Sequence, residues 1–211
     1  LLRTGRRSVV SGPLPLETLP APVSPSADLC APRVLFVGRL SREKNLPTLL
    51  RAMAMLKGAR LDVIGDGPER EDCETLATQL GLDVCFHGAL PRHTVFKAMQ
   101  AADIFVLPSR FEGLGIAAIE AMAAGVPTVV ADFPAAAEYI IPERTGLLFP
   151  IGDHAALARC ITRLTQDAAL RQTLSTEGAR HVRDVFSEQA QYEKYERILG
   201  SLSADAVDMI R

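Results

Sequence analysis

The feature that most constrains this chain is a regular alternation of short apolar runs and longer helical segments, which begins at Arg33. The runs have four or five residues, a length that is typical of strands and too short for a buried helix. Strands that are apolar throughout are typical of a parallel sheet whose two faces are covered by helices. The sequence therefore predicts the α/β class, with a parallel sheet of about six strands, helices on both faces and extra helices at the C-terminal end.

Three regions are predicted along the chain. Residues 1–32 contain six of the 14 prolines, and because proline at this density interrupts helices and central strands, this segment is expected to be a lead-in or interdomain linker. Residues 33–202 are expected to form the α/β domain, and residues 203–211 a C-terminal tail. The predicted strands span residues 34–37, 61–64, 84–87, 104–107, 127–131 and 146–149. The predicted helices span residues 47–57, 69–80, 94–101, 116–124, 135–140, 155–165, 168–185 (as one helix or two) and 187–202.

Composition excludes several classes of function. The formal net charge of −2 gives no electrostatic basis for binding nucleic acid or an anionic membrane, and no apolar run approaches the ~20 residues that a membrane-spanning helix needs. The four cysteines and four histidines are scattered without the spacing of a metal site, and the cysteines are expected to be reduced thiols of a cytosolic protein. The chain begins at Leu1 rather than at Met, as expected of a fragment of a longer protein.

The most informative stretch follows the fourth predicted strand and joins a Gly-rich turn to an Ala-rich helix. Glu112 lies on the turn, and Glu120 lies inside the helix at the border of its apolar face. An ionised carboxylate at that border is costly unless a ligand hydroxyl or a cation pairs with it. Gly113 and Gly115 leave the backbone uncovered at the helix N-terminus, where free N–H groups attract phosphate. The stretch therefore offers what a nucleotide sugar needs; the alternative is that the glycines only form the turn and Glu120 pairs with a core arginine.

Cations follow the first predicted strand, which ends at Gly38. Arg39 and Lys44 are expected to point into a cleft, because ligands of parallel α/β sheets bind beyond the carboxyl ends of the strands. Arginine can bind phosphate oxygens through two N–H groups, and lysine adds a mobile point charge. The alternative is a solvated turn in which the cations pair with Glu43. The turns after the second and third strands, including His87, are interpreted as structural.

A set of motifs over about residues 33–200 resembles, in its order along the chain, family 4 glycosyltransferases of the GT-B fold. Each motif alone is common, whereas the ordered set is specific. Its members are Phe36-Val37-Gly38-Arg39-Leu40 with Lys44, Gly65-Asp66-Gly67-Pro68, Glu112-Gly113-Leu114-Gly115 with Glu120, Ala124-Gly125-Val126-Pro127, Glu138, and Thr145-Gly146-Leu147-Leu148-Phe149.

The resemblance implies a Rossmann-like domain that forms the C-terminal, donor-binding half of a retaining glycosyltransferase. Arg39 and Lys44 would hold the donor diphosphate and stabilise its departing charge. Glu112 and Glu120 form the E-x7-E pattern, in which the first would contact the hydroxyls of the transferred sugar and the second would hold the ribose diol. The residues that would bind the donor chiefly through their backbone are Gly38, Gly113, Leu114 and Gly115.

The resemblance also implies the partners. The donor would be a nucleotide diphosphate sugar, with no cofactor and no divalent metal ion required, and no nucleic acid is expected to bind. The acceptor, a sugar, lipid or polysaccharide, would be bound by an N-terminal domain that this chain lacks. The protein would be cytoplasmic, with peripheral attachment to the inner membrane through that missing domain.

Two positions depart from the family pattern. Pro134-Ala135 stands where the family usually has Gly-Gly, and proline removes an N–H group that a ligand would use. Leu114 replaces a common phenylalanine. A second interpretation is therefore a non-catalytic nucleotide-sugar binding module or a degenerate transferase. A third is another GT-B enzyme, such as an epimerase or a phosphorylase, although no motif for a cofactor-bearing lysine is found.

Overall fold

The computed structural model describes residues 21–26, 29 and 31–197, and within them six strands form one sheet. All neighbouring strands in this sheet are parallel. The strands are β1 (Arg33–Val37), β2 (Arg60–Ile64), β3 (Val84–Gly88), β4 (Ile104–Leu107), β5 (Thr128–Ala131) and β6 (Leu147–Phe149). Their order across the sheet is β3-β2-β1-β4-β5-β6.

Helices connect these strands and follow the last one. Residues 188–197 are helical, and the other helices have both ends within the described chain. These are α1 (Leu46–Met53), α2 (Arg70–Gln79), α3 (Arg92–Ala101), α4 (Ile116–Ala123), α5 (His154–Gln166), α6 (Ala168–Phe186) and a short 3-10 helix (Pro134–Glu138).

The strand order confirms the predicted α/β fold with a parallel, Rossmann-like sheet. Right-handed crossovers place α1 and α2 on one face, and the return from β3 to β4 places α3 and α4 on the other. In agreement, α1 packs against α2 and α5, whereas α4 packs against α3 and α6. The extra helices α5 and α6 therefore complete the two covering layers.

Burial follows each strand's position in the sheet. The inner strands β4 and β5 are buried at every residue, as their uninterrupted apolar sequence predicts. The edge strand β3 instead alternates between half-buried and exposed residues. The helices on the two faces therefore cover the inner strands β4 and β5 more completely than the edge strand β3.

The ends of several helices differ from their predicted positions. The first helix ends at Met53 rather than at residue 57, since the chain turns through Gly58, with φ of 71°, before β2 begins. Residues 168–186 form one continuous helix, whose N-terminus is capped by the side chain of Asp167. The predicted helix at 135–140 is a 3-10 helix that begins at Pro134, a position where the absent N–H leaves no donor unsatisfied.

Residues 21–26 of the proline-rich segment lie against the domain. The N–H of Val23 donates to the carbonyl of Ala124 at 3.0 Å. The guanidinium of the buried Arg171, on α6, donates to the carbonyl of Ser26 at 2.9 Å. This portion of the segment is therefore held by α6 and the end of α4.

The two ends of the chain carry predictions that the structure does not describe. Residues 1–20 of the predicted lead-in and the predicted tail at 203–211 both lie outside the described residues. Within the described chain, no helix combines the length and apolar character needed to cross a membrane.

Candidate functional site

The site is centred where the strand order reverses. The chain leaves β1 toward one edge of the sheet and leaves β4, the neighbour of β1, toward the other edge. The two following loops therefore diverge to opposite faces, and this divergence opens a crevice at the carboxyl ends of the strands. Arg39 and Lys44 lie on the first loop and Glu112 lies on the second, so sequence and topology identify the same place.

Three contacts tie the two loops together. The side-chain amide of Asn45 donates to the carbonyl of Pro108 at 3.2 Å. The N–H of Arg110 donates to the carbonyl of Glu43 at 2.7 Å. Asn45 is buried and adopts the left-handed conformation, with φ of 53°, as asparagine tolerates better than most residues. These bonds fix the neighbouring Lys44 relative to the second loop.

Lys44 and Glu112, both predicted site residues, form the third contact. The Lys44 ammonium lies 2.6 Å from Oε1 of Glu112, and the hydroxyl of the buried Ser109 donates to the same oxygen at 2.7 Å. The side chains of Lys44 and Glu112 are 25% and 11% exposed, so the pair is partly shielded from water. The second carboxylate oxygen of Glu112 has no hydrogen-bond partner among the described residues and remains available to a ligand hydroxyl.

The Gly-rich turn after Glu112 leads into α4. Gly115 is the N-cap of α4 with φ of 89°, and a Cβ built there would lie 2.5 Å from the hydroxyl oxygen of Tyr139. Gly113 faces open space, and Leu114 packs partly buried against the core. Because the first N–H groups of a helix have no intrahelical partner, this terminus can bind an anion such as phosphate.

The Tyr139 side chain packs against Gly115 of this turn. It is completely buried, and its hydroxyl has no hydrogen-bond partner among the described residues. Burial, reinforced by the nearby carboxylates of Glu112 and Glu138, raises the pKa of Tyr139 above its usual range. The hydroxyl therefore stays neutral and contributes bulk beneath Gly115.

The substitution Tyr139→Phe is expected to raise the free energy of unfolding by about 1 kcal/mol, because a buried hydroxyl without a partner costs about 1–3 kcal/mol to desolvate. Urea denaturation of both proteins would measure the change. Tyr192→Phe, at an exposed tyrosine, is the matched control and is expected to change nothing. A loss of stability in Tyr139→Phe would mean that the hydroxyl has a hydrogen-bond partner in solution.

Glu120 pairs with a cation that the sequence analysis did not identify. Oε1 of Glu120 accepts a hydrogen bond from the Arg92 guanidinium at 2.8 Å. Glu120 is 15% exposed and Arg92 is 56% exposed, so the partner is a surface arginine rather than the core arginine of the alternative interpretation. Burial raises the pKa of Glu120, although Arg92 partly opposes this shift. The Arg92 guanidinium also lies 5.1 Å from the centre of the Phe96 ring.

The loop that carries Arg39 rests on the turn after β2. A Cβ at Gly65 would lie 1.9 Å from the carbonyl oxygen of Gly38, and a Cβ at Gly67 would lie 2.4 Å from that of Leu40. The two turns thus approach so closely that only glycine fits. The exposed Arg39 borders an open cleft of about 530 Å³, whose other lining residues are Ser41, Arg42, Glu43, Pro68 and Glu69.

A second cleft, of about 650 Å³, contains none of the predicted site residues. Its lining includes Arg42, Arg51, Arg110 and His154. We centre the site on the crevice between the β1 and β4 loops instead, because the ion pair, the helix terminus and the glycine backbone meet there.

Three residues near the site were not predicted from the sequence, and they differ in how far the sequence indicates their position. Arg92 is the first residue of a helix and resembles any surface cation, so nothing in the sequence indicates its pairing with Glu120. Ser109 follows the apolar end of β4, so its position beyond a strand end could have indicated a site residue. Tyr139 directly follows Glu138, and its position beneath Gly115 depends on contacts distant in sequence.

Comparison with known proteins gives an independent assignment. A family model described as "Glycosyl transferases group 1" matches residues 26–181. The lipopolysaccharide core biosynthesis glycosyltransferase LpsD of Rhizobium meliloti is 36% identical over 182 residues, which are 83% of this chain and 52% of that relative. Sulfoquinovosyl transferase SQD2 of Arabidopsis thaliana is 41% identical over 137 residues, 63% of this chain and 26% of that protein. The chain thus spans about half, or less, of the length of these relatives.

Solved structures agree with this assignment. Sucrose-phosphate synthase from Thermosynechococcus elongatus superposes with a TM-score of 0.82 at 31% identity, over 96% of this chain and 54% of that one. Anabaena HepE in complex with UDP has a TM-score of 0.75 at 25% identity, over 81% of this chain and 49% of that one.

Proposed function

Because the chain belongs to the glycosyl transferase group 1 family, we propose that it is the donor-binding domain of a retaining glycosyltransferase. It binds a nucleotide diphosphate sugar, and the whole enzyme transfers the sugar to an acceptor hydroxyl. The acceptor, a sugar, lipid or polysaccharide, is bound by an N-terminal domain in the half of the protein that this chain does not span.

The Lys44–Glu112 pair at the crevice between the β1 and β4 loops carries the proposal. An ammonium group beside the α4 N-terminus suits a diphosphate, and Glu112 retains a free oxygen for a sugar hydroxyl. Arg39 adds a guanidinium from the cleft side. When the diphosphate departs, its growing charge meets two cations and a helix terminus, so the transfer does not require a divalent metal ion at the donor.

Glu120 holds the ribose diol in this proposal. Its carboxylate is shielded from water and already oriented by Arg92, whose exposed side chain can move aside when the hydroxyls arrive. HepE, a structural relative, binds UDP in its solved structure, and UDP is therefore the first nucleotide to test. The scattered cysteines support a cytoplasmic location, with membrane attachment left to the other domain.

The chain itself is expected to bind one of UDP, GDP or ADP, or the corresponding sugars, in a thermal-shift and calorimetric panel. Arg39→Ala and Glu120→Ala are each expected to weaken that binding about tenfold or more, because a charge-assisted hydrogen bond contributes ~1.5–3 kcal/mol. Calorimetry on the three proteins would measure both effects.

Arg159→Ala is the matched control, since this exposed residue lies on α5, and binding should be unchanged. Absence of binding by every nucleotide would call for the same panel on the two-domain protein. If that protein also bound none of them, the donor role would be refuted.

Pro134 supports a second candidate, a nucleotide-sugar binding module without catalysis. It is the first residue of the 3-10 helix that ends at Glu138, one of the two carboxylates near Tyr139. Because proline has no N–H, a ligand cannot accept a backbone hydrogen bond there. The two candidates differ in the full-length protein, where a binding module would function normally with Glu112→Gln or Lys44→Ala.

A further inference from the structure

A second group of reactive side chains lies at the edge of the sheet. Asp62, on β2, is directly opposite Cys85, on β3, in the strand register. His87 is two residues after Cys85 on the same strand, and both residues are exposed. The ligand atoms of these three side chains all lie within 4.8 Å of one another. None of the three belongs to the donor site.

A chain of hydrogen bonds orients His87. Its Nε2 lies 2.6 Å from Oδ1 of Asp62, and the guanidinium of Arg33 donates to Oδ2 at 2.9 Å. In the tautomer that has its proton on Nε2, His87 donates to this carboxylate. The lone pair of Nδ1 then points toward Sγ of Cys85, 3.7 Å away.

This separation matches two ligands of one metal ion. Zinc bonds of about 2.3 Å to sulfur and about 2.0 Å to nitrogen, at a tetrahedral angle, place the two ligand atoms about 3.5 Å apart. Thiolate and imidazole are both ligands that suit zinc, whereas carboxylate, carbonyl and water suit magnesium and calcium. The hydrogen bond from the second imidazole nitrogen to a carboxylate is the usual arrangement around a metal-binding histidine.

We propose that Cys85 Sγ and His87 Nδ1 bind a thiophilic divalent cation such as Zn²⁺, with Asp62 as the residue that orients His87. Cys85 and His87 are both exposed, so water completes the coordination. The ion displaces the thiol proton and stabilises the edge strand β3, whose outer face is otherwise uncovered. This site is separate from the residues proposed for sugar transfer.

Cobalt(II) titration of the purified chain tests the proposal, because a Co²⁺–thiolate bond gives a charge-transfer absorption in the near ultraviolet. The wild-type protein is expected to show this band at one equivalent, and Zn²⁺ is expected to abolish it by competition. Cys85→Ser should remove the band. Cys160→Ser, at a half-buried cysteine far along the chain, is the matched control and should retain it.

Two further variants distinguish the proposed roles. His87→Ala is expected to remove tight binding, whereas Asp62→Asn should retain the band but weaken Co²⁺ binding about 10–100-fold, as loss of an orienting partner does. The proposal would be overturned by a band that survives in Cys85→Ser, by binding that is insensitive to His87→Ala, or by no band at all. The last result would leave the thiol and imidazole as a hydrogen-bonded pair. Circular dichroism of each variant verifies that it is folded.

Discussion

Replacing Lys44 with alanine in the proposed two-domain transferase is expected to lower kcat by about 10²–10³-fold, the loss typical of removing one preorganised group that stabilises transition-state charge. The ammonium is fixed by Glu112 and by the bonds between the β1 and β4 loops, so it needs no rearrangement when charge develops on the leaving diphosphate. Steady-state kinetics with saturating donor would measure the effect on kcat apart from KM.

Stability must be separated from catalysis, because Lys44→Ala leaves the shielded Glu112 carboxylate without its cation. In the double variant Lys44→Ala/Glu112→Gln this charge is also removed. The free energy of unfolding is therefore expected to recover toward the wild-type value, while kcat stays low. Lys57→Ala, at an exposed lysine beyond α1, is the matched control and is expected to leave both quantities unchanged.

An unchanged kcat in Lys44→Ala would contradict a role of Lys44 at the reacting diphosphate. A raised KM with normal kcat would mean that Lys44 binds the donor and the transition state equally well. The two results therefore separate catalysis from binding at the same residue.

The fold was predictable because its signal is local. The apolar runs that form β4 and β5 are buried on both faces, and their length excludes a helix. The end of α1 was less predictable, since an apolar residue at 56 continues the helical spacing after the chain has already turned toward Gly58. The exposure of β3 depends on its place at the sheet edge, which the order of elements along the chain does not reveal.

The site was predictable where residues follow strand ends and unpredictable where partners are distant. Lys44 and Glu112 were expected at one edge of the sheet, and the structure brings them into contact, although their roles in transfer stay predictions. Arg92 reaches Glu120 from a different helix, and no local pattern indicates that pairing. Cys85 and His87 had a recognisable signal, because alternate residues of a strand share a face, but spacing rules for helices and loops overlook it.

The turn after β2 was interpreted as only a turn, yet its glycines determine where Arg39 lies. Gly65 has φ of 132°, its N–H donates to the carbonyl of Gly88, and its Cα faces the carbonyl of Gly38. A close approach of this kind is invisible in a sequence, in which Gly-Asp-Gly-Pro occurs in many turns. The structure thus gives these glycines a part in positioning the loop that carries Arg39.

Gly65→Ala is accordingly expected to lower the free energy of unfolding by about 4 kcal/mol, in the range that single substitutions reach only through severe strain. The added Cβ would lie 1.9 Å from the carbonyl oxygen of Gly38, so the β1 and β2 turns must separate. Separation also moves Arg39, and nucleotide binding is expected to weaken with stability. Urea denaturation and calorimetry would measure the two effects on one preparation.

Gly81→Ala is the matched control, since Gly81 also has a positive φ, of 64°, but a Cβ there meets nothing within 4 Å. It therefore isolates the backbone strain of a left-handed alanine, which costs about 1 kcal/mol, and nucleotide binding should stay normal. If the two variants lost equal stability, the close contact with Gly38 would contribute nothing. If Gly65→Ala lost stability but bound nucleotide normally, the turn would support the fold without positioning Arg39.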